Sequence, residues 1–256
     1  MEMAWEQVLG EHDLRVFKAN ADLLVEQVRE RFDHGQSGVE ILAAIGRVPR
    51  HRFVSEAYRS LAYTDKALPT IGELTTSAPS VIAEMIFLSG ARKGDLVLEV
   101  GTGSGYESAL LSEMGIRLHS IEIDEEVALA ANHVLVSLGY KHDKTAEGRR
   151  GIESLARYHR ISRSVRHRGI VDLYIGNAVG GLPELAPFKG IIVAAAVERI
   201  DPLAKLIDQL SPDGGSLVVP VGAGGAQRLR VITRVGSRTS VTTLPGPSVS
   251  FIPLQV

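Results

Sequence analysis

Val97-Leu98-Glu99-Val100-Gly101-Thr102-Gly103-Ser104-Gly105-Tyr106 is an apolar, strand-like run entering a loop with glycine at every second position, and a helix-like segment from Glu107 to Glu113 follows it. Glycine lets the chain turn sharply and lets a ligand approach bare backbone. The N–H groups that open the next helix then face that ligand. Further on, Ile121-Glu122-Ile123 places an acid at the end of a second apolar run. A carboxylate there accepts hydrogen bonds from both hydroxyls of a ribose. The loop is not a P-loop, because no Gly-Lys-Ser/Thr closes it. It does not complete G-x-G-x-x-G either, since Tyr106 stands at the third position after Gly103. An E-x-G-x-G-x-G loop, with no pyrophosphate to cradle, suits S-adenosylmethionine better than a dinucleotide. The candidate cofactor residues on this unit are Glu99, Gly101, Thr102, Gly103, Ser104, Gly105, Glu122 and Ile123.

Strands and helices alternate outward from this point. Leu96–Val100, Arg117–Ile123, Val171–Ile175, Gly190–Ala195 and Ser216–Pro220 read as strands. Tyr106–Met114, Glu125–Leu138 and Pro202–Leu210 read as the helices between them. Leu229–Arg234, Ser240–Thr243 and Ser248–Pro253 read as late antiparallel strands. Upstream, Leu14–Phe32, Val39–Ile45 and Ser80–Ser89 carry helical spacing, and residues 47–80 are punctuated by Pro49, Pro69, Gly72 and Pro79. The alternation predicts an α/β fold: a doubly wound, mostly parallel Rossmann-like sheet with N-terminal helices and late antiparallel strands. A ligand is expected at the C-terminal strand ends, where Gly101–Gly105, Glu122 and Asn177 fall. Residues 1–80 are expected to form a helical and substrate-loop region, and residues 81–256 the cofactor-binding domain.

Composition narrows the class. The 256 residues are 45% hydrophobic and 23% charged, with a net charge of −2, as in a soluble enzyme with no global field for nucleic acid or an anionic membrane. There is no cysteine, so disulfides, thiolate metal ligands and a cysteine nucleophile are excluded, which fits a reducing cytoplasm. The eight histidines show no helical pair with a nearby acid, so no metal is expected. Neither a secretory leader nor an apolar run of membrane-spanning length is apparent.

One segment interrupts the alternation. Some thirty residues, about 141–170, separate the helix ending at Leu138 from the next strand, and they are rich in Arg, Lys and His. Ile152, Leu155, Ala156 and His159 would share one face of a helix. The segment reads as a solvated insertion, or else as a homo-oligomer contact, a lid or a site for an acidic or nucleic-acid partner. With Tyr158 its one aromatic residue, base stacking is not favoured.

Several blocks carry a family resemblance. Val48-Pro49-Arg50-His51-Arg52-Phe53-Val54, Tyr63-Thr64-Asp65-Lys66-Ala67-Leu68-Pro69 and Thr75-Thr76-Ser77-Ala78-Pro79 resemble protein-L-isoaspartate O-methyltransferases. So do the glycine loop through Tyr106, the stretch Leu210–Gly222 and the tail Val249-Ser250-Phe251-Ile252-Pro253-Leu254. The resemblance implies methyl transfer from S-adenosylmethionine to a carboxylate of isoaspartyl residues in damaged peptides and proteins, leaving S-adenosylhomocysteine. It implies Ser77 as the hydroxyl that orients the carboxylate, with Thr75 and Thr76 beside it, and all three, Thr75, Thr76 and Ser77, as cofactor-binding residues too. Asn177 and Ala178 would complete the cofactor site, and Leu68, Thr75, Ala195 and Val221 the acceptor side. Ser77, standing before Pro79 and an apolar helix, also has the form of a helix cap.

The chain departs from the family pattern in places. Gly176-Asn177-Ala178 replaces the usual Gly-Asp-Gly, so a neutral amide stands where an aspartate normally accepts from the adenine amino group. Lys189-Gly190 and Ala194 differ from the usual residues. The loop Ile71-Gly72-Glu73-Leu74-Thr75 is one residue short and brings Glu73 toward a site meant for a carboxylate. These departures motivate two other readings: a methyltransferase for a different acceptor, and an adaptor without turnover. A nucleic-acid amine methyltransferase is disfavoured, because Ala194-Ala195-Ala196-Val197 occupies the place of its Asn/Asp-Pro-Pro-aromatic segment.

Overall fold

A computed structural model describes residues 10–70, 74–143, 153–160 and 170–255. The chain opens with α1 (Glu11–Arg29) and α2 (Val39–Arg47), then a short hairpin of β1 (Leu68–Pro69) and β2 (Thr75–Thr76), then α3 (Pro79–Leu88). The alternating body follows: β3 (Leu96–Val100), α4 (Tyr106–Glu113), β4 (Arg117–Glu122), α5 (Glu125–Ser137), β5 (Tyr140–Asp143), β6 (Glu153–Arg160), β7 (Ile170–Ile175) and β8 (Gly190–Val193). It ends in α6 (Ala204–Ile207), β9 (Asp213–Val221), β10 (Arg228–Val235) and β11 (Arg238–Thr243).

Nine strands form one mixed sheet in the order β11-β10-β9-β8-β3-β4-β7-β6-β5. The five central strands, β9-β8-β3-β4-β7, run parallel, and an antiparallel hairpin closes each side. From β3 the chain moves outward through β4 to β7, then returns to β8 on the other flank. This reversal opens a crevice at the C-terminal end of β3, where doubly wound folds bind ligands.

The two-residue period of the strands divides the core. On β8, Ile192 packs on the side of the N-terminal helices, while Ile191 and Val193 pack on the opposite side with Leu203, Leu206 and Phe188. Helix α1 buries Phe17, Ala21, Leu24 and Val28, one helical stripe, against the first of these faces. Leu23, beside Leu24 in sequence, is exposed.

Three sequence expectations need correction. Residues 153–160 form strand β6, not a helix, and pair antiparallel with β7. The N–H and C=O groups along the outer edge of β7 need partners, and a returning hairpin supplies them. The helix expected over Pro202–Leu210 shrinks to a 3-10 turn at Asp201–Leu203 and the four-residue α6. There Gln209 Nε2 takes the Lys205 carbonyl at 2.9 Å, in place of a further helical N–H. Ser248–Pro253 is not a strand and makes only single bridges, Gln227 with Val249 and Ala196 with Pro253. Pro245, Pro247 and Pro253 lack the N–H groups a ladder needs.

Candidate active site

A pocket with about 1170 Å³ of open space, its mouth included, lies at the C-terminal ends of β3, β4 and β8. Its floor is the glycine loop. Gly101, Gly103 and Gly105 have φ of +94°, +52° and +83°, a region that disfavours side chains. Their surroundings differ. A Cβ on Gly105 would sit 3.3 Å from Ala131 of α5, so packing adds to the backbone requirement. A Cβ on Gly103 would meet no protein atom within 4 Å, so a side chain there would enter open space at the pocket wall.

Glu122 ends β4 and holds this loop from the side. Its Oε2 accepts from the Gly103 N–H at 2.9 Å. Its Oε1 accepts from the N–H groups of Ile123 at 2.9 Å and Asp124 at 3.2 Å. A carboxylate offers about four acceptor positions, so three backbone donors leave room for roughly one unshared hydrogen bond from a ligand. The Asp124 carboxylate in turn caps α5 by accepting from Val127 N–H.

Glu99 lies behind the loop, fully buried on β3. The hydroxyls of Ser108 and Ser120 both donate to its Oε2 at 2.5 Å. Ser120 has one proton and gives it to Glu99. Thr102 Oγ1, 2.6 Å from Ser120 Oγ, must therefore be the donor in that pair. Burial pushes the Glu99 carboxyl up to about 7, against the opposing effect of the two serines. Burial, reinforced by Glu99, raises Glu107 well above the ordinary carboxylate value.

The opposite wall comes from residues 74–77, which also line the pocket. Arg50, with no exposed surface, organises this wall. Its guanidinium donates to the carbonyls of Ala62 and Thr64 at 2.9 Å, Lys66 at 2.7 Å and Ser77 at 3.3 Å. Burial lowers its pKa, opposed by the nearby Tyr106, Asp65 and Tyr63. Asp65 caps α3 across a loop, accepting from Ser80 N–H at 2.8 Å. The helix-cap reading of Ser77 is thereby corrected: Ala78 is the capping residue, and no side chain of its own closes the helix. Beside Arg50, His51 Nδ1 lies 2.6 Å from the Tyr63 hydroxyl, and burial lowers its pKa to about 4.

Thr75, Thr76, Ser77, Glu99, Gly101, Thr102, Gly103, Ser104, Glu122, Ile123, Ala178 and Ala195 all line this one pocket. Gly105 stands just behind the wall, at the start of α4. Three further expected residues lie off the wall. Asn177 is exposed, and its Oδ1 accepts from Val179 N–H at 3.0 Å, capping its own turn. Leu68 is buried in the hairpin opposite Thr76, and Val221 is buried at the end of β9. Lys189 is remote: its Nζ donates to Gly214 O at 2.9 Å. Glu73 lies outside the described residues.

Sequence reasoning missed Glu107, Asp124 and the closing segment 250–255, all on the wall. The segment is anchored by Ala196 N–H to Ile252 O at 2.7 Å and Leu254 N–H to Ala196 O at 2.8 Å. Among the described residues no group of three His, Asp or Glu side chains is arranged to hold a metal ion, and no helix is long and apolar enough to cross a membrane.

A glycine loop at the sheet's reversal, with an acid closing the next strand, defines a Rossmann-like S-adenosylmethionine-binding methyltransferase. The pocket fits that group: its floor is side-chain-free at Gly103, and it holds buried carboxylate oxygens without partners among the described residues, an arrangement suited to a cation. Residues 19–256 match the family described as protein-L-isoaspartate(D-aspartate) O-methyltransferase (PCMT), and the chain belongs to it. It is 40% identical over 231 residues to a protein-L-isoaspartate O-methyltransferase of Gloeobacter violaceus, covering 90% of this chain and 95% of that one. A Salinibacter ruber protein of the same name is 35% identical over 232 residues, covering 88% and 86%. The fold matches a solved protein-L-isoaspartate O-methyltransferase with a TM-score of 0.66 at 21% identity, over 95% of this chain and 66% of the other. It also matches a putative Plasmodium falciparum protein-L-isoaspartate O-methyltransferase solved with S-adenosyl-L-homocysteine, with a TM-score of 0.65 at 17% identity, over 92% and 98%.

Proposed function

We propose that this chain is an S-adenosylmethionine-dependent carboxyl O-methyltransferase acting on isoaspartyl residues of peptides and proteins. The observation that carries the reading is the family match across residues 19–256. Its support in the fold is that the glycine loop and the Thr75-Thr76-Ser77 block face one another across a single pocket.

When bound, S-adenosylmethionine supplies a methyl carbon activated by the sulfonium it leaves. Gly101, Thr102, Gly103, Ser104, Glu122, Ile123 and Ala178 are proposed to hold the donor. Glu122 both accepts from the ribose and, through Gly103 N–H, keeps the loop in shape. The acceptor carboxylate is already an anion, so no strong base is required. The protein's work is to orient it and strip its water. The Ser77 hydroxyl and neighbouring backbone N–H groups orient it without neutralising it, and Thr75 and Ala195 flank it. Residues 1–80 then act as the acceptor-binding region and residues 81–256 as the donor-binding domain. The lack of cysteine supports a cytoplasmic location. Segment 141–170 is read as a solvated insertion or a homo-oligomer contact, and no nucleic-acid partner is assigned.

Labelled methyl transfer to an isoaspartyl peptide, but not to its aspartyl twin, is the expected result. Labelling of neither peptide would overturn the acceptor assignment, even with donor binding intact.

A further inference from the structure

Glu99 and Glu107 are buried acids on the wall of a pocket read above as the site of a cationic donor. Glu99 has no exposed surface and Glu107 is 8% exposed. Both line the pocket. On Glu99, Oε2 is occupied by Ser108 and Ser120. The Oε1 atoms of Glu99 and Glu107 are buried and have no hydrogen-bond partner among the described residues. A buried, unsatisfied carboxylate oxygen is costly unless it takes a proton or meets a cation.

The rest of the wall leaves that demand unmet. Its other titratable groups are Glu122 and Asp124, and no Lys, Arg or His lines it among the described residues. The β4 acid Glu122 raises Glu99 further by repulsion. Arg50 lies over the Tyr106 ring of α4, 5.6 Å from its centroid; its Nη1 and Nη2 donate to carbonyls, and its Nε is buried with no partner among the described residues. Segment 250–255 and the ends of β8 and α3 bring no charged side chain to the wall.

We propose that Glu99 and Glu107 form a carboxyl pair that retains a proton in the ligand-free protein and surrenders it to solvent when a cationic ligand enters, so that affinity for the sulfonium donor rises more steeply with pH than affinity for its demethylated product. This rests on the donor-binding reading above. The donor carries a sulfonium and an ammonium, the product an ammonium alone. The ionised pair therefore has one more positive charge to stabilise in the donor complex. Burial, with repulsion of Glu99 by Glu122 and of Glu107 by Glu99, keeps the pair protonated to near neutrality in the free protein. A bound cation favours the ionised form, so proton release accompanies binding. Donor affinity then rises with pH, approaching about tenfold per pH unit where a whole proton is released. Product affinity follows a shallower slope.

Calorimetric titration of the full chain with S-adenosylmethionine and with S-adenosylhomocysteine, from pH 6 to 8 in buffers of different ionisation enthalpy, counts the protons. The expected result is greater release with the donor, and a donor-to-product affinity ratio that grows with pH. Glu107→Gln, close in shape, should reduce the release and flatten that ratio, and Glu99→Gln should do likewise. Equal proton exchange for the two ligands, or unchanged slopes in both variants, overturns the inference while donor binding stands. Absence of binding heat and of a thermal shift with either ligand overturns the donor-binding reading itself, and this inference with it.

Discussion

The two walls of the pocket are built in opposite ways. The wall proposed for the donor is local: the loop from Glu99 to Glu107 and the strand end at 122–124 hold one another through backbone N–H groups and short side chains. The wall proposed for the acceptor is assembled from a distance. Arg50 gathers carbonyls of residues 62, 64, 66 and 77, and Asp65 caps a helix that begins beyond the next hairpin. A local site tolerates drift elsewhere in the fold, whereas a remote one depends on the burial of a few polar side chains.

The largest expected effect falls on the remote wall. Arg50→Ala leaves four carbonyls without their charged donor and should lower unfolding free energy by about 3 kcal/mol or more. Denaturant unfolding measures it, and wild-type stability would remove the contrast between the walls. Gly103→Val places a branched side chain at φ +52° and into the open pocket. Donor affinity should fall roughly 100-fold, or about 2.8 kcal/mol, by calorimetry. Glu122→Ala should weaken the donor by about 2 kcal/mol, the scale of charge-assisted hydrogen bonds. An unchanged dissociation constant would take Glu122 out of the site. Ser77→Ala should lower kcat by about tenfold, near 1.4 kcal/mol, with donor affinity retained; a change confined to donor affinity would move Ser77 to the other wall. The smallest change is Asp65→Asn, which keeps a cap acceptor but loses its charge. It should cost about 1 kcal/mol of stability, read from the unfolding midpoint.

The contrast explains what could be read in advance. Gly101, Gly103, Gly105 and Glu122 were legible because each meets a backbone requirement visible in a short stretch of sequence. Asn177 shows the limit: its amide was expected to face an adenine, and the sequence does not reveal that its oxygen accepts from the Val179 N–H of its own turn. Glu107 was hidden by its place inside an ordinary helix pattern, since helical spacing does not say that its second residue faces a cavity. The basic segment misled for a related reason. Residues 152–159 have helical spacing, yet the open edge of β7 drew 153–160 into the sheet.

From the sequence alone came the alternation of the parallel strands with α4 and α5, the glycine loop with its acid, and the family blocks, because those depend on periodicity and on conformations only glycine accepts easily. Tertiary structure alone decided that Arg50 and Asp65 shape the acceptor wall, that residues 250–255 close the pocket, and that Glu99 and Glu107 share it. These are questions of which polar groups lose water together, and burial is a property of the folded whole.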